Sequence, residues 1–279
     1  MEHRTRINNR LLAALPPADL DLLVPHFRTV PLERDAVLVR SGDEIQRIYF
    51  PLGGVIAFIM DMPNGQTVAT AVIGNEGAAG MLTALGPARS PLTSVVRVAG
   101  TALQISPARF QAALVRSSAL RGTVQTFTRA LLLQFQHVAA CNALHSVEAR
   151  LARWLLHVHD RVDGDVLPLT QETLAEFLGV RRTTVTHVVC KLRASGAIRS
   201  NRRSSIEIDR PRLEVAACEC YQLMCRRIEQ AGLSAGMKPP GHARPVDNPH
   251  TQTPLFAKTG EVHRRTRTHG GIGQRPRDH

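Results

Sequence analysis

The sequence predicts an α+β protein in which a small N-terminal β-barrel is followed by helices. Short β-prone runs separated by Gly, Pro, Asn and Asp fill the segment from Val30 to Ser106, which is typical of an antiparallel barrel or sandwich. After Pro107 apolar residues recur at helical spacing. Beyond residue 165 two short helical patterns precede two short strand-like runs. We therefore expect a barrel domain over residues 1–115, a long helix over 116–146 and a smaller C-terminal domain over 147–231.

The barrel is expected to be jelly-roll-like, with one hairpin marked in the sequence. Asn64-Gly65 lies between two β-prone runs, and both residues tolerate the positive φ of a two-residue type I′ turn. The predicted strands are Ala36–Arg40, Arg47–Phe50, Val55–Met60, Gln66–Ile73, Ser94–Val98 and Thr101–Ile105.

The long helix carries one apolar stripe. A helix from about Ser118 to His145 would be roughly 40 Å long at about 1.5 Å per residue, longer than a small barrel needs. We therefore predict a dimerisation helix that pairs with its copy in a second subunit; packing on the barrel of its own chain is the alternative. The stripe consists of Leu120, Val124, Phe127, Leu131, Phe135 and Val138.

Charge points to an anionic partner. The formal net charge is +12 and the isoelectric point is near 10.8, and residues 178–212 hold nine Lys/Arg against two acids. Residues 232–279, rich in Gly, Pro, His, Thr and Arg, are predicted to be a disordered basic tail. No apolar run approaches the roughly 20 residues of a membrane span, and the N-terminus lacks a signal-peptide pattern, so we expect a cytoplasmic protein without a membrane partner.

The stretch from Leu169 to Ile198 has the pattern of a helix-turn-helix. Thr170 is a candidate N-cap for a helix over Gln171–Phe177, and Gly179 stands at the turn, where a positive φ is easily adopted by glycine. A second helix follows at about Arg182–Ser195. Strands around Ala197–Ser200 and Ser205–Ile208 then flank a basic tip, which completes a winged helix-turn-helix. The alternative is a helical hairpin within a core, with a solvated basic face.

The second helix divides into an apolar face and a polar face. Arginine can form a bidentate pair with guanine, and threonine offers a hydroxyl and a methyl group for thymine. The predicted base-reading residues are Arg182, Thr183, Thr186 and His187. Cations beside them are expected to contact phosphates, which sets affinity rather than sequence preference; these are Arg181, Lys191, Arg199, Arg202 and Arg203.

This stretch, preceded by the helix VEARLARWLL (Val147–Leu156) and the barrel in the same order, resembles the Crp/Fnr superfamily of transcription regulators. The resemblance covers roughly Leu11 to Tyr221. It implies an effector barrel, a dimerisation helix and a DNA-binding domain that act as a homodimer on a two-fold operator in double-stranded DNA, with RNA polymerase as a further partner. Thr183 stands where many members carry an acidic residue, so the operator sequence does not follow from the resemblance.

The effector of the barrel is not predicted by the sequence. Members of the family that bind cyclic nucleotides use a Gly-Glu pair for the ribose, whereas this chain reads Gly80-Met81; Arg89-Ser90 resembles the phosphate-binding pair but is followed by Pro91. We therefore expect a pocket near these four residues that does not take cyclic nucleotide. The N-terminal cysteine ligands of the iron–sulfur branch are also missing, because all five cysteines lie from Cys141 onward. The cofactor is left unknown.

Two other hypotheses stay open at this stage. His137, Cys141 and His145 recur at i, i+4 and i+8 and could gather a metal, and Cys218, Cys220 and Cys225 could bind metal or respond to oxidation, but ordinary helix packing is favoured and no metal site is predicted. A sensor module that acts mainly through protein contacts is the second function considered. An enzyme is not expected, since no P-loop, HExxH or GxSxG motif occurs.

Overall fold

The computed structural model describes residues 7–86, 89–201 and 205–230, with only the backbone described at Ser200 and Asn201. The helices are α1 (Arg10–Ala13), α2 (Pro17–Leu20), α3 (Pro107–Arg116), α4 (Ser118–Leu144), α5 (Val147–His159), α6 (Gln171–Leu178), α7 (Arg182–Ala194), α8 (Arg210–Ala216) and α9 (Cys220–Gln230). The strands are β1 (Arg28–Leu32), β2 (Val37–Val39), β3 (Ile48–Asp61), β4 (Thr67–Ile73), β5 (Thr93–Ile105), β6 (Val166–Leu167), β7 (Ile198–Asn201) and β8 (Ser205–Ile208). The predicted tail, 232–279, lies outside the described residues.

The N-terminal half is an antiparallel sheet in the order β1-β5-β3-β4, with β2 also paired to β5. Within the described residues β1 and β4 do not pair with each other, so the jelly-roll-like sheet is open. The prediction of separate strands at 47–50 and 55–60, and at 94–98 and 101–105, was wrong, because each pair forms one long strand. The β3–β5 register shifts between Pro51 and Ile56. The glycines in this segment, which had suggested a break between two strands, lie at these bulges within one strand.

The predicted hairpin exists, but its turn type was wrong. A type I′ turn needs positive φ at both central residues, and among residues 62–66 only Gly65 has it, at φ +80°. The Gly65 N–H donates to the Met62 carbonyl at 2.9 Å, and the Met62 N–H donates to the Gln66 carbonyl at 2.8 Å. This is the longer loop in which a turn is followed by a left-handed glycine, and Pro63 suits the first central position of that turn.

At residues 55–59 the strand β3 is buried on both faces of the sheet. Along β3, Ile56 and Phe58 point into the core of the sheet domain, whereas Val55, Ala57 and Ile59 belong to a second core with residues of α5, α6 and α7. The alternation follows from the two-residue period of a strand. The helix-turn-helix half is therefore packed against the outer face of the sheet.

The long helix α4 was predicted correctly in extent, and its apolar stripe packs against its own chain. Leu120, Val124, Phe127 and Leu131 are buried in the core of the sheet domain, with Phe135 partly buried against it, and Val138 lies in the second core. These six side chains already contact their own chain and have little apolar surface left to bury elsewhere. The assignment of this stripe to the dimer interface was wrong, and the intrachain alternative is what the structure shows. Within the described residues, no helix is long and apolar enough to span a lipid bilayer.

Candidate nucleic-acid interface

The first helix of the motif, α6, has well-defined ends. The Thr170 side chain accepts a hydrogen bond from the Thr173 N–H at 3.1 Å, as predicted for an N-cap. At the other end Gly179 adopts φ +62°. The Gly179 N–H donates to the Glu176 carbonyl at 3.3 Å and the Val180 N–H donates to the Ala175 carbonyl at 3.2 Å. This pair of bonds is the Schellman motif, which satisfies carbonyls that the helix leaves open.

The turn contacts the sheet domain directly. A Cβ atom at Gly179 would lie 3.2 Å from a methyl group of Val68 in β4. Glu176 of α6 forms an ion pair with Arg97 of β5, and Arg97 also donates to Asp35 at 2.9 Å. A close apolar contact and an ion-pair network thus add to the second core in holding the helix-turn-helix to the sheet.

The second helix, α7, has an inner and an outer face. Val185, Val188, Val189 and Leu192 are buried against α5 and α6. The predicted base-reading residues Arg182, Thr183, Thr186 and His187 are all exposed on the opposite side, because positions three and four apart share one face of a helix. Cys190 is exposed on the same face and was not among the predicted residues, although its spacing of four residues from Thr186 indicates this face.

Two outward side chains of α7 contact α6. Arg182 forms an ion pair with Glu172 at 2.7 Å, with the side chains 67% and 62% exposed. The Thr186 hydroxyl donates to the Gln171 side chain at 3.2 Å or to the Arg182 carbonyl at 3.1 Å. An ion pair as exposed as this one contributes only about 0–1 kcal/mol, so Arg182 can exchange Glu172 for another partner at little cost.

The predicted phosphate-contacting cations lie around this face. Arg181 is exposed at the N-cap of α7. Lys191 lies 3.7 Å from a Glu148 carboxylate oxygen, and Arg199 on β7 lies 3.3 Å from Glu207 on β8. The wing is the antiparallel sheet β6-β8-β7. Its tip, with Arg202 and Arg203, lies outside the described residues.

Two family models match the chain in tandem. The model of the cyclic nucleotide-binding domain matches residues 29–117, and that of the Crp-like helix-turn-helix domain matches residues 149–216. Together they cover more than half of the chain and include the sheet, the motif and the wing. The chain belongs to the Crp/Fnr superfamily.

Solved structures of Crp/Fnr regulators share this fold. The chain resembles the c-di-GMP-responsive global regulator CLP of Xanthomonas campestris, with 17% identity, TM-score 0.57, and coverage of 69% of this chain and 99% of that one. FixK2 of Bradyrhizobium japonicum gives 15% identity, TM-score 0.59, and coverage of 69% and 98%. A CRP-family transcriptional regulator of Thermus thermophilus gives 20% identity, TM-score 0.56, and coverage of 67% and 96%. A search of curated proteins finds no match to this sequence.

The residues predicted to line an effector pocket divide between two places in the Crp/Fnr barrel. Gly80, Met81 and Ser90 line a cavity of about 30 Å³ that is otherwise mostly apolar. The Ser90 hydroxyl is turned to the Leu92 carbonyl at 2.6 Å. Arg89 lies in a separate open groove and donates to the Gly42 carbonyl at 2.9 Å. The cavity therefore has no cationic side chain among its lining residues.

The structure brings Cys141 and His145 together with Cys218 and Cys220, although the first two are more than 70 residues from the others in sequence. Hydrogen bonds from the Cys218 and Cys220 thiols lower the pKa of Cys141, and the bond to Cys141 raises the pKa of Cys218 to about 11. The pKa of His145 is raised, first by its hydrogen bond to Cys141.

The other residues that the sequence analysis considered as metal ligands lie elsewhere. The His137 ring nitrogen Nδ1 is 2.9 Å from the Leu133 carbonyl, and Cys225 belongs to the second core. Of the three residues at this spacing along α4, the structure brings Cys141 and His145 together with Cys218 and Cys220, and His137 lies apart from them. Cys218 and Cys220 come close to Cys141 and His145 through a tertiary contact, which spacing in the sequence does not reveal.

Proposed function

We propose that this Crp/Fnr regulator is a sequence-specific DNA-binding protein that binds a two-fold operator as a homodimer. The observation that carries the proposal is the outer face of α7, where four polar side chains are exposed and aligned. A helix of this kind fits the major groove of B-DNA, with its N-terminal residues against the base edges. Arg182, at the first position of α7, is the residue best placed to read guanine.

The surrounding charges favour DNA as the partner. Lys191, Arg182 and Arg199 each pair with a carboxylate on the protein surface. Such exposed pairs are weak, and phosphate oxygens can replace the carboxylates, which releases counterions from the DNA. Arg181 and Arg193 add two exposed cations to the same region.

Dimerisation is proposed to use the outer face of α4 instead of the buried stripe. Leu132, in the middle of this face, is 54% exposed. Its neighbours on the face are short or polar, and no acidic residue occurs in the helix. Short side chains allow two helices to approach closely. The proposed dimer face consists of Gly122, Gln125, Arg129, Leu132, Gln136, Ala139 and Ala143, all exposed.

We propose further that the barrel does not bind cyclic nucleotide. Small-molecule sites usually have about 300–1,000 Å³ of space, whereas the cavity at Gly80 has about 30 Å³. The groove that holds Arg89 has about 770 Å³, but it is open and is not lined by Gly80, Met81 or Ser90. Met81 offers no acceptor for a ribose hydroxyl, and Arg89 is engaged outside the cavity. No cation remains there to bind a phosphate.

Equilibrium binding to labelled duplexes, measured by fluorescence anisotropy, tests the DNA-binding proposal. Arg182→Ala is expected to cost about 1–3 kcal/mol on the preferred duplex and to relax the preference at one base pair. Arg199→Ala should weaken binding to all duplexes alike and reduce the salt slope by about one. Arg116→Ala, an exposed cation at the end of α3, is the control and should bind as the parent does. Equal losses of specificity for Arg182→Ala and Arg199→Ala would contradict the proposed roles.

A further inference from the structure

We propose that Cys141, His145, Cys218 and Cys220 form a binding site for one Zn²⁺ ion per chain. Their ligand atoms all lie within 4.8 Å of one another. Cys141 lies in the last turn of α4 and His145 is the C-cap of that helix, and Cys218 and Cys220 flank Glu219 at the start of α9. Three thiolates and one imidazole are a donor set typical of structural zinc.

The distances between donors fit tetrahedral coordination. The Cys141 and Cys218 sulfur atoms are 3.5 Å apart, and the Cys220 sulfur is 3.6 Å from Nδ1 of His145. Zn–S bonds of about 2.3 Å at tetrahedral angles place two sulfur ligands about 3.8 Å apart. These two donor pairs are therefore close to tetrahedral spacing, and no pair among the four donors is more than 4.8 Å apart.

The histidine is already oriented as a ligand. His145 directs Nδ1 toward the sulfur atoms, while its Nε2 lies 3.0 Å from a Glu219 carboxylate oxygen. Histidine ligands to metals usually donate their second ring N–H to a carboxylate or carbonyl, which fixes the tautomer and the ring. Glu219 fills this role and lies between the two cysteine ligands in sequence.

The charge of the surroundings also fits. Zn²⁺ with three thiolates and a neutral imidazole carries one negative charge. Arg153 of α5 is fully buried, and its Nε and Nη2 atoms have no hydrogen-bond partner among the described residues. Its positive charge acts on both Cys141 and Cys218. A buried cation is stable only near compensating negative charge, and an anionic zinc–thiolate centre would supply it.

A zinc ion at this site would connect two parts of the helix-turn-helix half. Ser146 follows His145 and caps the start of α5, so the ion would be bound beside the junction of α4 and α5. The other two ligands are Cys218, in the segment that joins α8 to α9, and Cys220, the first residue of α9. Zinc would hold the C-terminal helix to this junction and stabilise the folded chain, since metal that binds only the folded state adds its binding free energy to folding.

Cobalt titration of the reduced, chelator-treated full-length chain tests the proposal. Tetrahedral Co²⁺ with thiolate ligands gives strong visible absorption and a sulfur-to-cobalt charge-transfer band. We expect both to saturate at one Co²⁺ per chain and to disappear when one equivalent of Zn²⁺ is added. Native mass spectrometry should then show one zinc per chain, and zinc should raise the melting temperature.

Variants assign the ligands. Cys141→Ser, Cys218→Ser, Cys220→Ser and His145→Ala should each reduce the charge-transfer intensity and weaken zinc binding at least tenfold. His137→Asn, on the same helix but bonded to its own backbone, is the matched control and should keep the parent spectrum and stoichiometry. Because a serine variant could fail to fold, circular dichroism is recorded for each. The proposal is overturned if the folded parent chain binds no Co²⁺ tetrahedrally, if His137→Asn loses the site, or if only an iron–sulfur chromophore forms.

Discussion

Arg161 donates from Nε to the Glu76 carboxylate at 2.8 Å, and both side chains are almost fully buried, at 2% and 6% exposure. The pair joins the end of α5 to the loop after β4. Burial lowers the pKa of Arg161, but the charges of Glu76 and Asp160 outweigh that effect and raise it. Glu76 also accepts from the Gly74 N–H. The sheet domain and the helix-turn-helix half are therefore linked by a buried ion pair.

Glu76→Gln should destabilise the chain strongly. The substitution leaves Arg161 buried without a carboxylate, and breaking a buried pair in this way costs about 3–5 kcal/mol. The free energy of unfolding, measured by urea denaturation, should fall by that amount. Asp163→Asn, an exposed carboxylate two residues from Arg161, is the control and should change it little. A decrease of less than about 1 kcal/mol in the free energy of unfolding for Glu76→Gln would contradict a buried ion pair between the sheet domain and the helix-turn-helix half.

Acid should destabilise the fold through His157. Burial, followed by the charges of Arg153 and Arg161, lowers the pKa of His157 well below its ordinary value of 6.5. The unfolded chain then binds a proton below pH 6.5 that the folded chain does not, so stability falls as pH decreases, by up to about 1.4 kcal/mol per unit. Urea denaturation from pH 7 downward should show this slope. His157→Phe should reduce it, the exposed His26→Asn should not, and equal slopes for parent and His157→Phe would refute the assignment.

Gly179→Ala should destabilise the motif for two separable reasons. A residue with a Cβ atom at φ +62° is strained by about 1–3 kcal/mol, and the added carbon would lie 3.2 Å from Val68. Val68→Ala combined with Gly179→Ala should recover the part due to the contact but not the part due to φ. Thermal melting of the single and double variants measures both parts. If the double variant loses as much stability as the two single variants together, the contact with Val68 is excluded.

Leu132→Arg should shift the chain from dimer to monomer. The substitution places a charge in the middle of the proposed dimer face on α4, where a partner helix would bury it at high cost. Sedimentation velocity should show a smaller species at micromolar concentration. Val115→Arg, which changes a side chain 80% exposed on α3, is the control and should leave the distribution unchanged. An unchanged dimer in Leu132→Arg would exclude this face.

The sequence predicted the local elements better than it predicted which surfaces meet. The bounds of α4 to α7 and the turn at Gly179 follow from helical periodicity, capping residues and a single glycine, all of which are local signals. The same periodicity found the stripe from Leu120 to Val138 but assigned it to a subunit interface. Periodicity shows that a face is buried and does not show what buries it.

Two further features could not be predicted from local sequence patterns, because each depends on contacts between residues far apart in the chain. β1 pairs with residues more than 60 positions away and contains Pro31, which an edge strand tolerates but which weakens any strand pattern. The cluster of three cysteines and His145 joins Cys141 to Cys218, 77 residues apart. Only the packing of α9 along α4 brings them together.

Selection of bound duplexes from a random pool tests the central claim most directly. If α7 reads the major groove in each subunit of a dimer, the enriched sequences should form an inverted repeat with half-sites about 34 Å apart, one helical turn. The Arg182→Ala variant should return a motif with one degenerate position in each half-site. A pool that shows no enriched motif, or a single unrepeated half-site bound by a monomer, would contradict the proposal.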